Sequence, residues 1–164
     1  MMVRAMKHTV QFMTKSAEET MRLGDRIAHM LKGGEVLELN SDLGGGKTTF
    51  TKGVAAGLGS ADQVSSPTFT ISNIYEGRNL TVHHYDFYRL GELGLMSEEL
   101  LETMSDPQAI SIIEWAGEAH ALLPKDKLIR IVIEPLADDE NARRLTIQTD
   151  NDALLSSEFM KGQL

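Results

Sequence analysis

The 164-residue chain contains no cysteine, which removes disulfides, thiolate catalysis and any cysteine-held zinc site, and fits a reducing, intracellular compartment. Positive charge is also scarce: 16 Lys and Arg stand against 24 Asp and Glu, giving a formal net charge of −8 and a pI near 5.1. A protein that binds nucleic acid unaided neutralises phosphates with lysine and arginine. Tight nucleic-acid binding by this chain alone is therefore not expected, whereas work on RNA through a partner stays open. No apolar run approaches the ~18 residues of a membrane span, and Met1 to Lys7 lack the apolar stretch of a signal peptide, so a soluble, cytoplasmic protein is expected. No internal repeat, low-complexity tract or linker divides the sequence. The length suits a single domain over residues 1–164, with the tail beyond about Asp150 fraying.

Glycine is concentrated where it carries information. The segment Ser41-Asp42-Leu43-Gly44-Gly45-Gly46-Lys47-Thr48-Thr49 follows the β-like run Val36 to Leu39 and precedes the helix-capable Phe50 to Leu58. That strand, loop and helix order is the context of a phosphate-binding P-loop. Consecutive glycines let backbone N–H groups converge on phosphate oxygens, and the helix N-terminus adds partial positive charge. Lys47 supplies a cation for the β- and γ-phosphates, and the Thr48 hydroxyl is placed to ligate Mg²⁺. The site class is a nucleoside triphosphate cradle. Ser41 occupies the position of the usual first glycine of G-x-x-x-x-G-K-[ST]; a left-handed backbone there would cost serine roughly 1–3 kcal/mol.

Periodicity supplies the remaining elements. Lys7 to Met13 alternates as a strand, and Ser16-Ala17-Glu18-Glu19 forms a capping box for a helix with Met21, Ile27, Ala28 and Leu31 on one face, closed by Gly33-Gly34. Phe69 to Tyr75 and Leu80 to Tyr88 pattern as a hairpin around Glu76 to Asn79. Ser97 to Met104 is an acidic helix, Ala109 to Ile113 a buried strand, and Ala116 to Leu123 a helix stopped at Pro124. Lys127 to Glu134 and Arg143 to Thr149 alternate as strands across a turn at Ala137 to Asn141. The sum is an α/β fold: one P-loop NTPase domain with a mixed, mainly parallel sheet flanked by helices.

A P-loop enzyme needs an acid at the end of a neighbouring strand to hold Mg²⁺ directly or through water. Asp86 ends Val82-His83-His84-Tyr85, and Glu114 ends Ile110-Ser111-Ile112-Ile113. Asp86 reads alternatively as a strand-end carboxylate paired with Arg89, and Glu114 as a helix-start carboxylate stabilised by the helix dipole. Trp115, the only tryptophan, is either core packing or part of the site. Ser66-Pro67-Thr68-Phe69-Thr70 resembles a switch segment that presents hydroxyls to a γ-phosphate, or else a proline-initiated strand. His83 and His84 point to opposite faces of one strand, cannot chelate together, and read as structural. Arg143 and Arg144 open the last strand; one of them could reach a nucleotide phosphate, and the default reading is a surface cation.

Taken in order, Asp42 to Thr49, Ser66 to Thr70, His84-Tyr85-Asp86-Phe87-Tyr88-Arg89-Leu90, Ile113-Glu114-Trp115 and Leu123-Pro124 resemble the bacterial TsaE family, the P-loop ATPase of tRNA threonylcarbamoyladenosine (t⁶A) biosynthesis. The resemblance covers most of the chain. It implies ATP and Mg²⁺ as ligands, with Asp42, Gly44, Gly45, Gly46, Lys47, Thr48 and Thr49 around the phosphates and Ala17 lining the base. It places Thr48 and Glu114 at Mg²⁺, Asp86 at the metal or its water shell, Trp115 beside the catalytic carboxylate and Arg143 against ATP. Lys47, Asp86, Glu114 and Trp115 then form the catalytic set, Glu114 either holding the metal or orienting water. Ser41 and Ala142 depart from the family's usual glycines. The implied activity is a weak ATPase that does not transfer the threonylcarbamoyl group but acts on the complex of two larger subunits, of TsaB and TsaD type, that does. Rival readings are a small-molecule P-loop kinase, disfavoured by the lack of an arginine-rich lid segment, a GTPase, disfavoured by the lack of an Asn-Lys-x-Asp segment, and a nucleotide-gated binding module.

Overall fold

The computed structural model describes residues 6–42, 44–88, 94 and 96–161. A seven-stranded sheet runs in the order β1 (His8–Thr14), β7 (Asp139–Thr149), β6 (Leu128–Leu136), β2 (Val36–Asn40), β5 (Ala109–Glu114), β4 (Thr81–Asp86) and β3 (Ser72–Glu76). The central strands β6, β2, β5 and β4 are mutually parallel, while β3 and the β7 and β1 pair close the two edges antiparallel. Helices α1 (Ala17–Ala28) and α2 (Lys47–Gly57) are joined to one apolar core with Phe12, Leu37, Leu39, Ile110, Ile112 and Ile131. Helix α3 (Met96–Ser105) and the 3₁₀ segment Gly117–Leu122 belong to a second core with Val36, Tyr85, Ile113 and Leu128. Every residue of β5 is buried, which is why that strand reads as a continuous apolar run rather than an alternation.

Local chemistry sets the boundaries. The Ser16 hydroxyl accepts from the Glu19 N–H at 3.2 Å, and the Glu19 carboxylate returns to the Lys15 N–H at 2.7 Å, so the capping box forms with its return bond one residue earlier than the standard pattern. Helix α1 stops at Ala28, short of Gly33-Gly34; those glycines instead turn the chain into β2, and the buried Glu35 carboxylate accepts from the Lys32 and Gly33 N–H groups. The buried stripe of α1 includes Leu23 and Gly24, with Met21 half-buried. A Cβ on Gly24 would lie 2.4 Å from the Phe50 carbonyl oxygen and one on Gly53 2.0 Å from that of Met21, so the two helices cross at backbone contact.

Two further expectations are corrected. Phe69 to Ile71 forms a turn rather than the start of β3: Ile71 N–H bonds to the Pro67 carbonyl at 2.7 Å and Ile71 takes a left-handed backbone, φ 69°. The segment before Pro124 is a 3₁₀ helix, not an α-helix. Residues 151–161 pack onto the fold: Leu155 and Phe159 are buried in the α1 core and the Phe159 ring lies 5.1 Å from that of Phe12.

Candidate functional site

Register assembles the site. Parallel pairing sets Leu39 opposite Glu114 and Asp86 opposite Glu114, so the C-terminal ends of β2, β5 and β4 finish level. The loop from Ser41 to Gly46 leaves β2 at that level and turns into α2, whose first residue is Lys47. Gly44 and Gly46 adopt φ of 73° and 109°, conformations that L side chains rarely take. A cleft of about 230 Å³ is lined by Gly44 to Thr49 of the loop, Ser66 and Thr68, Asp86, Glu114 and Trp115. Crevices outside the carboxyl ends of parallel strands are where such sheets hold ligands.

Lys47 is buried, not on a solvated loop as its position beside the glycines suggests. Its ammonium lies 3.1 Å from Ser41 Oγ, 3.1 Å from the Asp42 carbonyl and 3.4 Å from that of Ser41. The same Nζ stands 5.1 Å over the Trp115 ring, a cation–π contact. Trp115 has φ 54°, a left-handed conformation that costs a non-glycine residue about 1–3 kcal/mol. This kink turns the chain out of β5 and brings the indole to Lys47 and, at 4.9 Å between ring centroids, to Tyr88. Among the described residues Trp115 and Ile71 are the only non-glycines at positive φ, so Ser41 carries no left-handed strain. Its hydroxyl donates to the Asp42 carbonyl at 2.8 Å and fills the space above Gly45, where a Cβ would sit 2.2 Å away.

The two carboxylates are buried but differently engaged. Asp86 Oδ2 accepts from Thr68 Oγ1 at 2.8 Å and Oδ1 from the Tyr88 N–H at 2.9 Å. Thr68 in turn meets Ser66 Oγ at 2.7 Å, which ties the switch-like segment to β4. Glu114 Oε1 faces His84 Nε2 at 2.8 Å, and among the described residues its other oxygen has no hydrogen-bond partner. Arg89, the alternative partner for Asp86, lies outside the described residues, as do Leu43 and Leu90. Hard oxygen donors from Thr48, Asp86 and Glu114 beside a phosphate-sized cleft suit Mg²⁺, which retains waters and borrows phosphate oxygens. No cluster of three or more His, Asp or Glu among the described residues makes a closed all-protein metal cage.

A second recess of about 100 Å³ is lined by Ala17, Thr20, Gly46, Thr49, Asn141 and Arg143. It shares Gly46 and Thr49 with the main cleft. Arg143 is half-buried, and its Nε donates to the Gly45 carbonyl at 3.1 Å while Nη1 donates to Glu140 and Ala142 carbonyls. It braces the loop from β7. Ala17 and Arg143 thus meet at the loop although they are far apart in sequence, whereas Asp42 is exposed and lines neither recess. His83 is half-buried and stacks near Tyr85, and His84 is fully buried against Glu114. Alternation along β4 separates the two histidines by face; it does not say what each face meets.

A glycine loop joining a parallel strand to a helix, with a lysine at the helix start and acids on the adjacent strand ends, defines the P-loop NTPase fold. Residues 14–145 match the family described as threonylcarbamoyl adenosine biosynthesis protein TsaE. Similar proteins include the tRNA threonylcarbamoyladenosine biosynthesis protein TsaE of Bacillus subtilis (strain 168), 38% identical over 153 residues, 93% of this chain and 94% of that protein. Those of Treponema pallidum and Aquifex aeolicus are 35% and 37% identical, covering 82% and 81% of this chain and 96% and 91% of theirs. The crystal structure of Bacillus subtilis YdiB superposes with a TM-score of 0.73 at 33% identity, covering 97% of this chain and 95% of that one. The chain belongs to the TsaE family, a family of t⁶A biosynthesis proteins.

Proposed function

We propose that this protein binds and hydrolyses ATP with Mg²⁺ and thereby serves N6-threonylcarbamoyl modification of adenosine in tRNA, acting on the two larger subunits that carry out the transfer. The observation that carries the reading is the convergence, at one end of the parallel strands, of Lys47, Thr48, Asp86, Glu114 and Trp115 around one cleft.

The loop N–H groups and Lys47 bind the β- and γ-phosphates; binding draws the ammonium from the Ser41 and Asp42 oxygens that hold it. Thr48, Glu114 and Asp86 are the residues that would hold Mg²⁺, which neutralises charge on the phosphate oxygens. Glu114, with one oxygen fixed by His84 and the other without a donor among the described residues, suits a direct role at the metal or attacking water. Asp86, with both oxygens engaged by Thr68 and Tyr88, suits an indirect one. In hydrolysis the water oxygen bonds to the γ-phosphorus, the bond to the β,γ-bridging oxygen breaks with its electron pair, and the water proton leaves to the phosphate or carboxylate oxygens. Most of the work is positioning and charge stabilisation. Trp115 keeps water from one side of Lys47. Ala17 and Arg143 frame the recess for the rest of the nucleotide.

The acidic chain is expected to meet tRNA through its partners. Thr68 links Asp86 to the exposed segment containing Ser66 and Phe69, and a γ-phosphate that competes for these hydroxyls changes the surface offered to a partner. The tests are calorimetric titration of ATP with and without Mg²⁺, and pull-down of TsaB- and TsaD-type subunits under ATP analogue, ADP and no nucleotide. A tRNA gel shift at physiological salt and the t⁶A content of tRNA from depleted cells complete them. ATP-favoured association, weak tRNA binding and lost t⁶A are expected. No ATP binding, or tight tRNA binding without partners, overturns the reading.

A further inference from the structure

We infer that His84 is a positioning residue for Glu114, with the Tyr75 hydroxyl against the far nitrogen of its ring. This inference rests on the ATPase reading above. His84 is fully buried, Tyr75 and Glu114 nearly so, and all three share one face of the sheet. His84 Nε2 lies 2.8 Å from Glu114 Oε1, and Nδ1 lies 3.3 Å from the Tyr75 hydroxyl. An ionised carboxylate only accepts, so Nε2–H is the donor toward Glu114. The Tyr75 hydroxyl has one hydrogen, which serves either Nδ1 at 3.3 Å or the Ser65 carbonyl at 2.8 Å, and its oxygen accepts from the Ser65 N–H at 3.3 Å and from Asn73 Nδ2 at 3.4 Å.

Glu114, His84, Tyr75 and Ser65 thus stand in a row of polar contacts through the interior. The row starts at the acid of the cleft and ends one residue before Ser66, which lines the same cleft. The segment is fastened to Asp86 by Thr68, and Ser65 next to it meets the Tyr75 hydroxyl. A purely structural histidine needs satisfied nitrogens and nothing more. Here one nitrogen is spent on the carboxylate that has no other hydrogen-bond partner among the described residues, and so sets the direction of its remaining oxygen. Partners in such an outer shell fix the orientation of a metal- or water-facing ligand, and their loss costs about 10–100-fold in metal affinity or activity.

The experiment compares the full-length parent with His84→Ala, His84→Gln and Tyr75→Phe. Turnover is measured at saturating ATP, and the midpoint of a Mg²⁺ titration at fixed ATP is read from the fluorescence of Trp115, the sole tryptophan, which neighbours Glu114. For His84→Ala, kcat falls and the Mg²⁺ midpoint rises by about 10-fold or more, while KM for ATP and Mg²⁺-free ATP affinity stay within about 3-fold. His84→Gln, whose amide nitrogen can replace Nε2 toward Glu114, restores most of kcat. Tyr75→Phe, which keeps the buried ring and removes only the hydroxyl, gives a smaller loss of kcat and remains available if His84→Ala does not fold. Folded His84→Ala with parental kcat and Mg²⁺ midpoint overturns the inference. So does parental kcat in Tyr75→Phe together with a Gln variant no better than Ala. A parent that binds no ATP refutes the ATPase reading itself, and the role of His84 falls with it.

Discussion

Replacing Lys47 by alanine isolates the charge on which the phosphate cradle depends. An ammonium about 4 Å from one phosphate charge gains about 4 kcal/mol at an effective dielectric near 20. That figure is an upper bound here, because the ammonium is not idle before ligand arrives: it sits 3.1 Å from Ser41 Oγ, 3.1 Å from the Asp42 carbonyl and over the Trp115 ring. Exchanging those partners for phosphate leaves the net value of a charge-assisted contact, about 1.5–3 kcal/mol. Near the top of that range Lys47→Ala weakens ATP binding about 100-fold. The fold persists, since α2 begins at this residue and alanine is a good helix former; a change of about 1 kcal/mol moves Tm by about 2–4 °C for a chain of this size. Calorimetric titration with ATP, with thermal unfolding of the ligand-free variant as control, gives both numbers. A loss in affinity below about 10-fold, in a variant that melts like the parent, refutes the assignment of Lys47 to the phosphates.

Glu114→Ala lowers hydrolysis much more than ATP affinity, and Asp86→Ala weakens the Mg²⁺ dependence of binding; parental ATPase rates in both variants make the two carboxylates structural. Ser41→Gly leaves ATP affinity unchanged or slightly tighter, whereas Gly45→Ala weakens it, because the added Cβ lies 2.2 Å from Ser41 Oγ. The double variant recovers part of that loss, since the Asp42 carbonyl oxygen still lies 2.9 Å from the added Cβ, and additive effects in that calorimetric cycle deny the coupling. Burial pushes the Tyr85 hydroxyl up from its ordinary value near 10, against the lowering effect of its 2.8 Å bond to Thr103. The unfolded chain releases this proton first, so stability is intact below about pH 10 and falls as pH rises from there toward the folded-state pKa. Alkaline melts of Tyr85→Phe have a shallower loss above about pH 10, and identical slopes refute the linkage.

The phosphate loop is legible in the sequence because its physics is local: glycines, lysine and threonine act within one turn of a strand-to-helix junction. The acid at Glu114 is legible because it closes an apolar strand, whereas Asp86 ends the more polar Val82-His83-His84-Tyr85 and is the weaker match. What escapes is set by distant partners. Phe69 to Ile71 has strand-forming residues, yet Thr68 is spent on Asp86 and Ile71 bonds back to Pro67, so the chain turns before β3 begins. Gly24 and Gly53 look like ordinary weak points of two helices until the helices touch at those positions. Lys47 reads as a loop cation, although Trp115, brought in by a left-handed kink, covers it.

The register of three strands explains why the site residues belong to one design rather than to separate motifs. Side chains alternate along a strand, so parity assigns faces. His84 pairs with Ile112 and Asp86 with Glu114, which puts His84, Asp86 and Glu114 on the face of Ile112. Asn73 pairs with His84, which adds Tyr75 to the same face from β3. Leu39 pairs with Glu114, so the strand that delivers the glycine loop presents Leu37 and Leu39 there too, in the core shared with α1 and α2. A slip of one residue between β4 and β5 would turn Tyr85 into that core and send His84 and Asp86 to the opposite layer. The same alternation that buries Val82, Ile110 and Ile112 under α1 and α2 thereby aims both carboxylates at the N-terminus of α2. Packing and chemistry are fixed by one choice of register, and a substitution that loosens the β4–β5 pairing damages the site before it unfolds the sheet.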